Sequence, residues 1–257
     1  MSSQKTVLIT GARGNLAARL TPGLVEDYNL TCLDVHPTPG VIDADLSIYD
    51  ESWVQQFAGM DVVLHFAANP INVSPWERAA ANLLIGTNVL QACVARGVPR
   101  IAISSSNHTM SGYWDMPSAN LFREWQTDVD SDAPPSEITS ETPPCPGNPY
   151  GTMKFAEETV ARSFHQRFGI QVVVVRIGCV LPGDNTPAAI RERNSDYIKP
   201  LWLHEEDALA FYRSVIEVES LTFHIVNLTS ANSGSPWSLD EARRLLGYEP
   251  KYDVTKE

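Results

Sequence analysis

The chain has 257 residues, enough for one large domain or one domain with a small appended lobe. A formal charge of −12 argues against a nucleic-acid or anionic-membrane partner, and no apolar run approaches the ~18 residues of a membrane span. The opening segment 1–5 passes at once into an apolar strand and leaves no room for a signal peptide. The scattered Cys32, Cys93, Cys145 and Cys179 read as reduced thiols of a cytoplasmic protein, without disulfides or a metal site.

Residues 6–10 are predicted to form the first strand and residues 16–26 the first helix. Between them, Gly11-Ala12-Arg13-Gly14-Asn15-Leu16-Ala17 has the make-up of a phosphate-cradling turn. Gly11 permits the tight turn, and Gly14 lets the backbone approach a pyrophosphate at the helix N-terminus. Ala17 is the small residue where helix and strand pack. A second strand, 30–34, ends in Asp34. That carboxylate can accept from both ribose hydroxyls of NAD and would repel the extra phosphate of NADP, so NAD is the expected cofactor. A short third strand includes Val41 and Ile42, and Asp45-Leu46 after it suits an adenine contact. The fourth strand, 61–66, runs into Phe66, Ala67 and Ala68, where small residues let the backbone pass near the cofactor.

Residues 76–96 read as a long helix that ends near Gly97 and Pro99. A fifth strand, 100–104, leads into Ser104-Ser105-Ser106-Asn107-His108. The stretch 109–148 is rich in Pro, Ser, Asp and Glu, with aromatics at Tyr113, Trp114, Phe122 and Trp125. It is either a functional loop or a solvated insertion. Residues 150–168 form a helix stopped by Gly169, and 171–177 a sixth strand with four consecutive valines. Tyr150 and Lys154 lie four apart on that helix and therefore share a face. A nearby ammonium favours the phenolate, which is what proton abstraction from a sugar or alcohol hydroxyl needs. Further on come the basic Arg191-Glu192-Arg193, a helix over 205–218 and a strand over 223–227. Ser238-Leu239-Asp240-Glu241 has capping-box spacing and opens a last helix ending at Gly247.

Unbroken apolar strands alternating with helices predict an α/β fold, a Rossmann-type doubly wound parallel sheet with a small C-terminal substrate-binding portion. Within a single domain of 1–257, residues 1–178 are mainly the NAD-binding core and 179–257 mainly substrate-side elements.

Together, Gly11-x-x-Gly14-x-x-Ala17, His65-Phe66-Ala67-Ala68, Asn82 with Gly86-Thr87, Ser104 to Ser106, Tyr150-x-x-x-Lys154 and Arg176-Ile177-Gly178 span most of the chain. In these motifs it resembles the extended short-chain dehydrogenase/reductase family, the NAD-dependent epimerases and dehydratases. The chain is too short for the large nucleotide-sugar lobe of most members. Ser105-Ser106-Asn107-His108, Ser74-Pro75-Trp76-Glu77 and Trp202-Leu203-His204-Glu205 are similar to a narrower branch. That branch holds bacterial uronate dehydrogenases and archaeal NAD-dependent glucose-6-phosphate dehydrogenases, which oxidise the anomeric hydroxyl of a cyclic sugar to a lactone.

The resemblance implies that Tyr150 is the base, Lys154 its tuning cation and Ser106 the hydroxyl that bonds the reacting oxygen. It also implies an NAD site of Gly11, Arg13, Gly14, Asn15, Leu16, Asp34, Asp45, Leu46, Phe66, Ala67, Ala68, Asn82, Ser104, Tyr150, Lys154 and Ile177. Substrate would meet Asn69, Ser106, Asn107, His108, Tyr150 and Cys179. Uronate dehydrogenases place a serine where this chain has Cys179, and a carboxylate-binding arginine where it has Tyr197. Arg191, Arg193, Lys199 or Arg123 could supply that charge instead, or the pair Arg191 and Arg193 could simply be solvated. Expected substrates are a hexuronate or a hexose 6-phosphate. An epimerase or dehydratase that keeps NAD bound, and a non-catalytic NAD sensor, are the alternative functions. In this family the helices beginning at Trp76 and Tyr150 commonly pair across a homodimer.

Overall fold

Residues 4–69, 75–115, 137–193 and 195–256 are described by a computed structural model of the chain. Seven strands form one parallel sheet: β1 (Thr6–Thr10), β2 (Asn29–Asp34), β3 (Val41–Asp43), β4 (Val62–His65), β5 (Arg100–Ser106), β6 (Gln171–Ile177) and β7 (Phe223–Leu228). Their order is β3-β2-β1-β4-β5-β6-β7. The helices are α1 (Asn15–Leu24), α2 (Glu51–Val54), α3 (Trp76–Arg96), α4 (Gly112–Asp115), α5 (Pro149–Phe168), α6 (Pro187–Glu192), α7 (Ile198–Leu201), α8 (Glu205–Glu217) and α9 (Asp240–Leu246).

The strands read as continuous apolar runs because both faces of the sheet are covered. Along β6, Val173 and Val175 point into a core layer with Leu20 of α1, Phe211 of α8 and Ala242 of α9. Val172 and Val174 point the other way, toward Val89 of α3, Ala161 of α5 and Trp53 of α2. All four valines are fully buried, each worth roughly 1.5–3 kcal/mol of apolar transfer. The chain runs outward from β1 through β2 to β3, then returns to the other side of β1 as β4. This reversal at β1 and β4 opens a crevice at the C-terminal ends of the strands, where α/β sheets bind ligands.

Several boundaries differ from the sequence expectation. β5 runs two residues further, because Ser105 and Ser106 stay paired with Arg176 and Ile177 of β6. α1 stops at Leu24, two residues early. The capping box at Ser238 does not form: Leu239 occupies the cap position, and Glu241 binds Arg244 at 2.7 Å and His224 at 3.1 Å. The stretch 109–148 is not structureless at its ends. Residues Asn107–Met110 form a 3-10 turn followed by α4, and Ile138 is fully buried beside Trp237. Ser74, Phe122, Arg123 and Trp125 lie outside the described residues.

One buried ion pair fastens α5 to the sheet. Arg176 of β6 donates to both oxygens of Glu158, at 3.0 and 2.9 Å, and Ser105 of β5 donates to the same carboxylate at 2.6 Å. Breaking such a pair from one side leaves a buried charge without its partner. Arg176→Met should therefore lower unfolding stability by about 3–5 kcal/mol in urea titrations, whereas replacing both partners by apolar residues should cost much less.

Candidate active site

Gly11 adopts the left-handed region at φ +67°, and a Cβ there would fall 2.6 Å from Ala67 backbone atoms. The glycine is thus required both by the turn and by the passage of the chain after β4. No side chain caps α1, which starts at Asn15, so the first-turn N–H groups remain suited to an anion. Asp34 closes the other wall: its carboxylate accepts from the Arg13 N–H at 2.9 Å and the His36 N–H at 3.0 Å. The Arg13 guanidinium donates to the His36 carbonyl at 3.2 Å.

Two clefts meet over this turn. The first, about 610 Å³, is lined by Gly11, Arg13, Gly14, Asp34, Asp45, Leu46, Phe66, Ala67, Ala68 and Asn69 among others. The second, about 230 Å³, is lined by Gly14, Asn15, Leu16, Phe66, Ala68, Ser104, Ser106, Tyr150, Lys154 and Ile177 among others. Gly14, Phe66 and Ala68 belong to both. The structure therefore brings the glycine turn, the serine run and the Tyr150-Lys154 pair into one continuous groove.

α5 delivers Tyr150 and Lys154 to it. Asn148 caps the helix by accepting from the Gly151 N–H at 2.8 Å, and Pro149 fills the first-turn position that needs no donor. Gly151 sits against the 3-10 turn so closely that a Cβ would lie 2.1 Å from the His108 carbonyl oxygen. Ser106 Oγ accepts from the His108 N–H at 3.1 Å, which leaves its own proton to donate. His108 Nδ1 lies 2.9 Å from the Asn148 amide, and its ring meets Tyr150 edge-on, 5.7 Å between centroids.

Other predicted residues are placed differently. Asn82 lines neither cleft; its amide accepts from the Asn69 N–H at 2.6 Å and donates to the Asn69 carbonyl at 3.1 Å. Through these bonds it holds Asn69, which lines the first cleft. Both ends of the Asn107 amide are engaged, with the Ile177 carbonyl at 3.1 Å and the Tyr197 hydroxyl at 2.7 Å. Arg191 donates to the Val254 carbonyl at 2.9 Å, and neither it nor Arg193 lines the groove. Cys179 is tied by backbone bonds to Leu201 and Leu203 and packs against Trp202.

Three features stand outside the sequence motifs: Glu157, His65 as a side chain, and the Tyr197–Asn107 bond. The first two carry a signal in hindsight: charged or titratable residues on positions that the periodicity assigns to buried faces. The third joins residues 90 apart and has none.

The sequence pattern of the NAD dependent epimerase/dehydratase family matches residues 7–193. The chain belongs to that family. L-arabinose 1-dehydrogenase (NAD(P)(+)) of Haloferax volcanii is 29% identical over 95% of this chain and 96% of its own length. NAD-dependent glucose-6-phosphate dehydrogenase of the same organism is 30% identical over 95% of this chain and 92% of its own length. The crystal structure of uronate dehydrogenase from Agrobacterium tumefaciens superposes with a TM-score of 0.77 at 25% identity, covering 98% of this chain and 86% of that one.

The family's cofactor is NAD, and this groove fits it: an uncapped helix start for the pyrophosphate, an acceptor at Asp34 for ribose, and a glycine where a Cβ would block the path. Among the described residues, no cluster of three His, Cys, Asp or Glu side chains could hold a metal ion. No helix among them is long and apolar enough to cross a membrane.

Burial pushes the Cys179 thiol up to about 11, with the Arg193 charge opposing only part of that rise. At pH 8 about one thiol in a thousand would be ionised. Iodoacetamide should therefore label Cys179 far more slowly than a free thiol at that pH. The rate should climb about tenfold per unit up to pH 11, as read by peptide mass mapping.

Proposed function

We propose that this chain is an NAD-dependent sugar 1-dehydrogenase that oxidises the anomeric hydroxyl of a cyclic sugar to the lactone. The observation that carries this is the second cleft, where Ser106, Tyr150 and Lys154 stand around one small cavity that opens onto the glycine turn. In this reading Tyr150, as phenolate, takes the proton of the C1 hydroxyl. Lys154 supplies the positive charge that favours the phenolate. Ser106 donates its remaining proton to the reacting oxygen and stabilises the charge that develops there. NAD, when bound, supplies the acceptor for the hydrogen and electron pair leaving the carbon. Gly11, Gly14, Asn15, Leu16, Asp34, Asp45 and Leu46 would hold its nucleotide part, with Arg13, Phe66, Ala67, Ala68, Ser104 and Ile177 along the walls.

Asn69, Asn107, His108 and Cys179 would border the sugar. A hexuronate or hexose 6-phosphate is supported by the names of the glucose-6-phosphate and uronate relatives. A neutral aldose is favoured by two other observations. The Tyr197 hydroxyl is bonded to Asn107, and the Arg191 guanidinium is bonded to the Val254 carbonyl, away from the groove. The relative named for L-arabinose acts on a sugar with no anionic group.

The reading extends to setting and assembly. Four free cysteines suit a reducing cytoplasm. The adjacent helices α3 and α5 expose Trp76, Leu84 and Phe155, large apolar side chains of the kind a homodimer would cover. Light scattering on a sizing column should give twice the mass of the chain, falling to a single mass in Leu84→Arg.

NADH formation should appear on at least one of glucuronate, galacturonate, glucose 6-phosphate, L-arabinose and neutral hexoses, and on no UDP-sugar. Conversion of a UDP-sugar without net NADH would instead assign epimerase or dehydratase chemistry. Tyr150→Phe should lower kcat by at least about 10²-fold while NAD still binds, because the phenolate is the only base assigned here. Full activity in that variant would remove Tyr150 from the mechanism.

A further inference from the structure

Beneath the floor of the second cleft lies a run of polar side chains to which the mechanism gives no role beyond Lys154. Thr10 of β1 and His65 of β4 are register neighbours, and Thr10 Oγ1 lies 2.7 Å from His65 Nδ1. Thr10 Oγ1 also accepts from the Ala67 N–H at 3.4 Å and keeps both its proton and a second lone pair for Nδ1. On the other side of the ring Nε2 faces a carboxylate, which only accepts, so Nε2 carries hydrogen. That Nε2 is 3.3 Å from Glu157 Oε1, while Glu157 Oε2 accepts from Lys154 Nζ at 2.7 Å. His65, Lys154 and Glu157 are each no more than 2% exposed. Helix α3 leaves room for the carboxylate only because residue 86 is glycine; a Cβ there would fall 2.2 Å from Glu157 Oε1.

The array is charged although it is buried. Burial pushes the Glu157 carboxyl up, but Lys154 and His65 outweigh that and hold it below the usual carboxylate range. Burial also opposes the Lys154 ammonium, but Glu157, Tyr150 and Glu158 together outweigh it, so the cation persists. The groups facing this pair can be named element by element. Tyr150 and Glu158 come from α5 itself, His65 from β4, and α3 presents Gly86. Glu158 is closed by Arg176 of β6 and Ser105 of β5, which makes it a separate, compensated pair.

Resting on the reading of Tyr150 as the base, we propose that Glu157, aimed by His65, is a positioning residue that fixes the Lys154 ammonium and sets the pH at which the base is ready. An anion against Lys154 holds the long side chain in one place and cancels part of its field at the phenol. The carboxylate therefore moves the working range of the enzyme upward in pH. A purely structural glutamate would leave that range where it is.

The test is E157Q, which keeps an oxygen acceptor for Lys154 and removes the charge. The ascending limb of log(kcat/KM) against pH should move down by about half to one unit. The same displacement should appear with no sugar and no NAD, in the ultraviolet titration of tyrosinate after subtraction of the corresponding Tyr150→Phe curve. Coincident limbs and titrations in wild type and E157Q, or an upward shift, would overturn the proposal. E157A carries the same two readouts should the glutamine not be tolerated beside His65. A shifted titration with no turnover on any sugar would support the coupling and overturn the reading of the reaction instead.

Discussion

The approach of Gly151 to the His108 carbonyl is the contact on which the rest of the site depends. Any side chain at residue 151 would put its Cβ 2.1 Å from that oxygen. The first turn of α5 can therefore lie directly on the 3-10 turn that follows β5. Asn148 secures the same junction from the other side by capping α5 and reaching His108. With these two surfaces in contact, Tyr150 and Ser106 face one cavity although they lie 44 positions apart in the chain. The sheet supplies the second half of the constraint. β5 and β6 stay paired through Ser106 and Ile177, so the strand end that carries Ser106 is a rigid ledge.

Much of this is legible in the sequence. The strands of the parallel sheet show as apolar runs because both faces are buried, and the long helices α3 and α5 show through their periodicity and the glycines at residues 97 and 169. The groove residues of the glycine turn, Asp34 and the Tyr150-Lys154 pair are set by local rules of turn, strand end and helix face. What was not legible depends on distant partners. Asn82 looks like a ligand residue, yet its amide is fixed by the backbone of Asn69. The capping-box spacing at Ser238 is real, but Glu241 finds Arg244 and His224 instead. Arg191 carries the charge an anion would need, yet it is bonded to a carbonyl near the C-terminus.

The polar layer under the groove divides into two sets that share the α5 helix. Glu158, Arg176 and Ser105 form a charge-compensated cluster that joins helix to sheet. Glu157, Lys154, His65 and Thr10 form an open chain that ends at the cleft. Adjacent glutamates thus act in different ways. One secures the position of α5, and the other bears on the charge of the group that α5 presents. Neighbouring residues on a helix can divide such work because successive positions point about 100° apart.

In the proposed function Asp34 joins selectivity and construction in one side chain. Its two oxygens bind the Arg13 and His36 N–H groups, and so bridge the loop after β1 to the loop after β2. A replacement that carries no side-chain acceptor releases both backbone donors and unfastens the rim. Such a replacement therefore calls for a second change that rebuilds the bridge. A single step of this kind passes through a loosened rim, and this makes the site hard to retune by gradual drift.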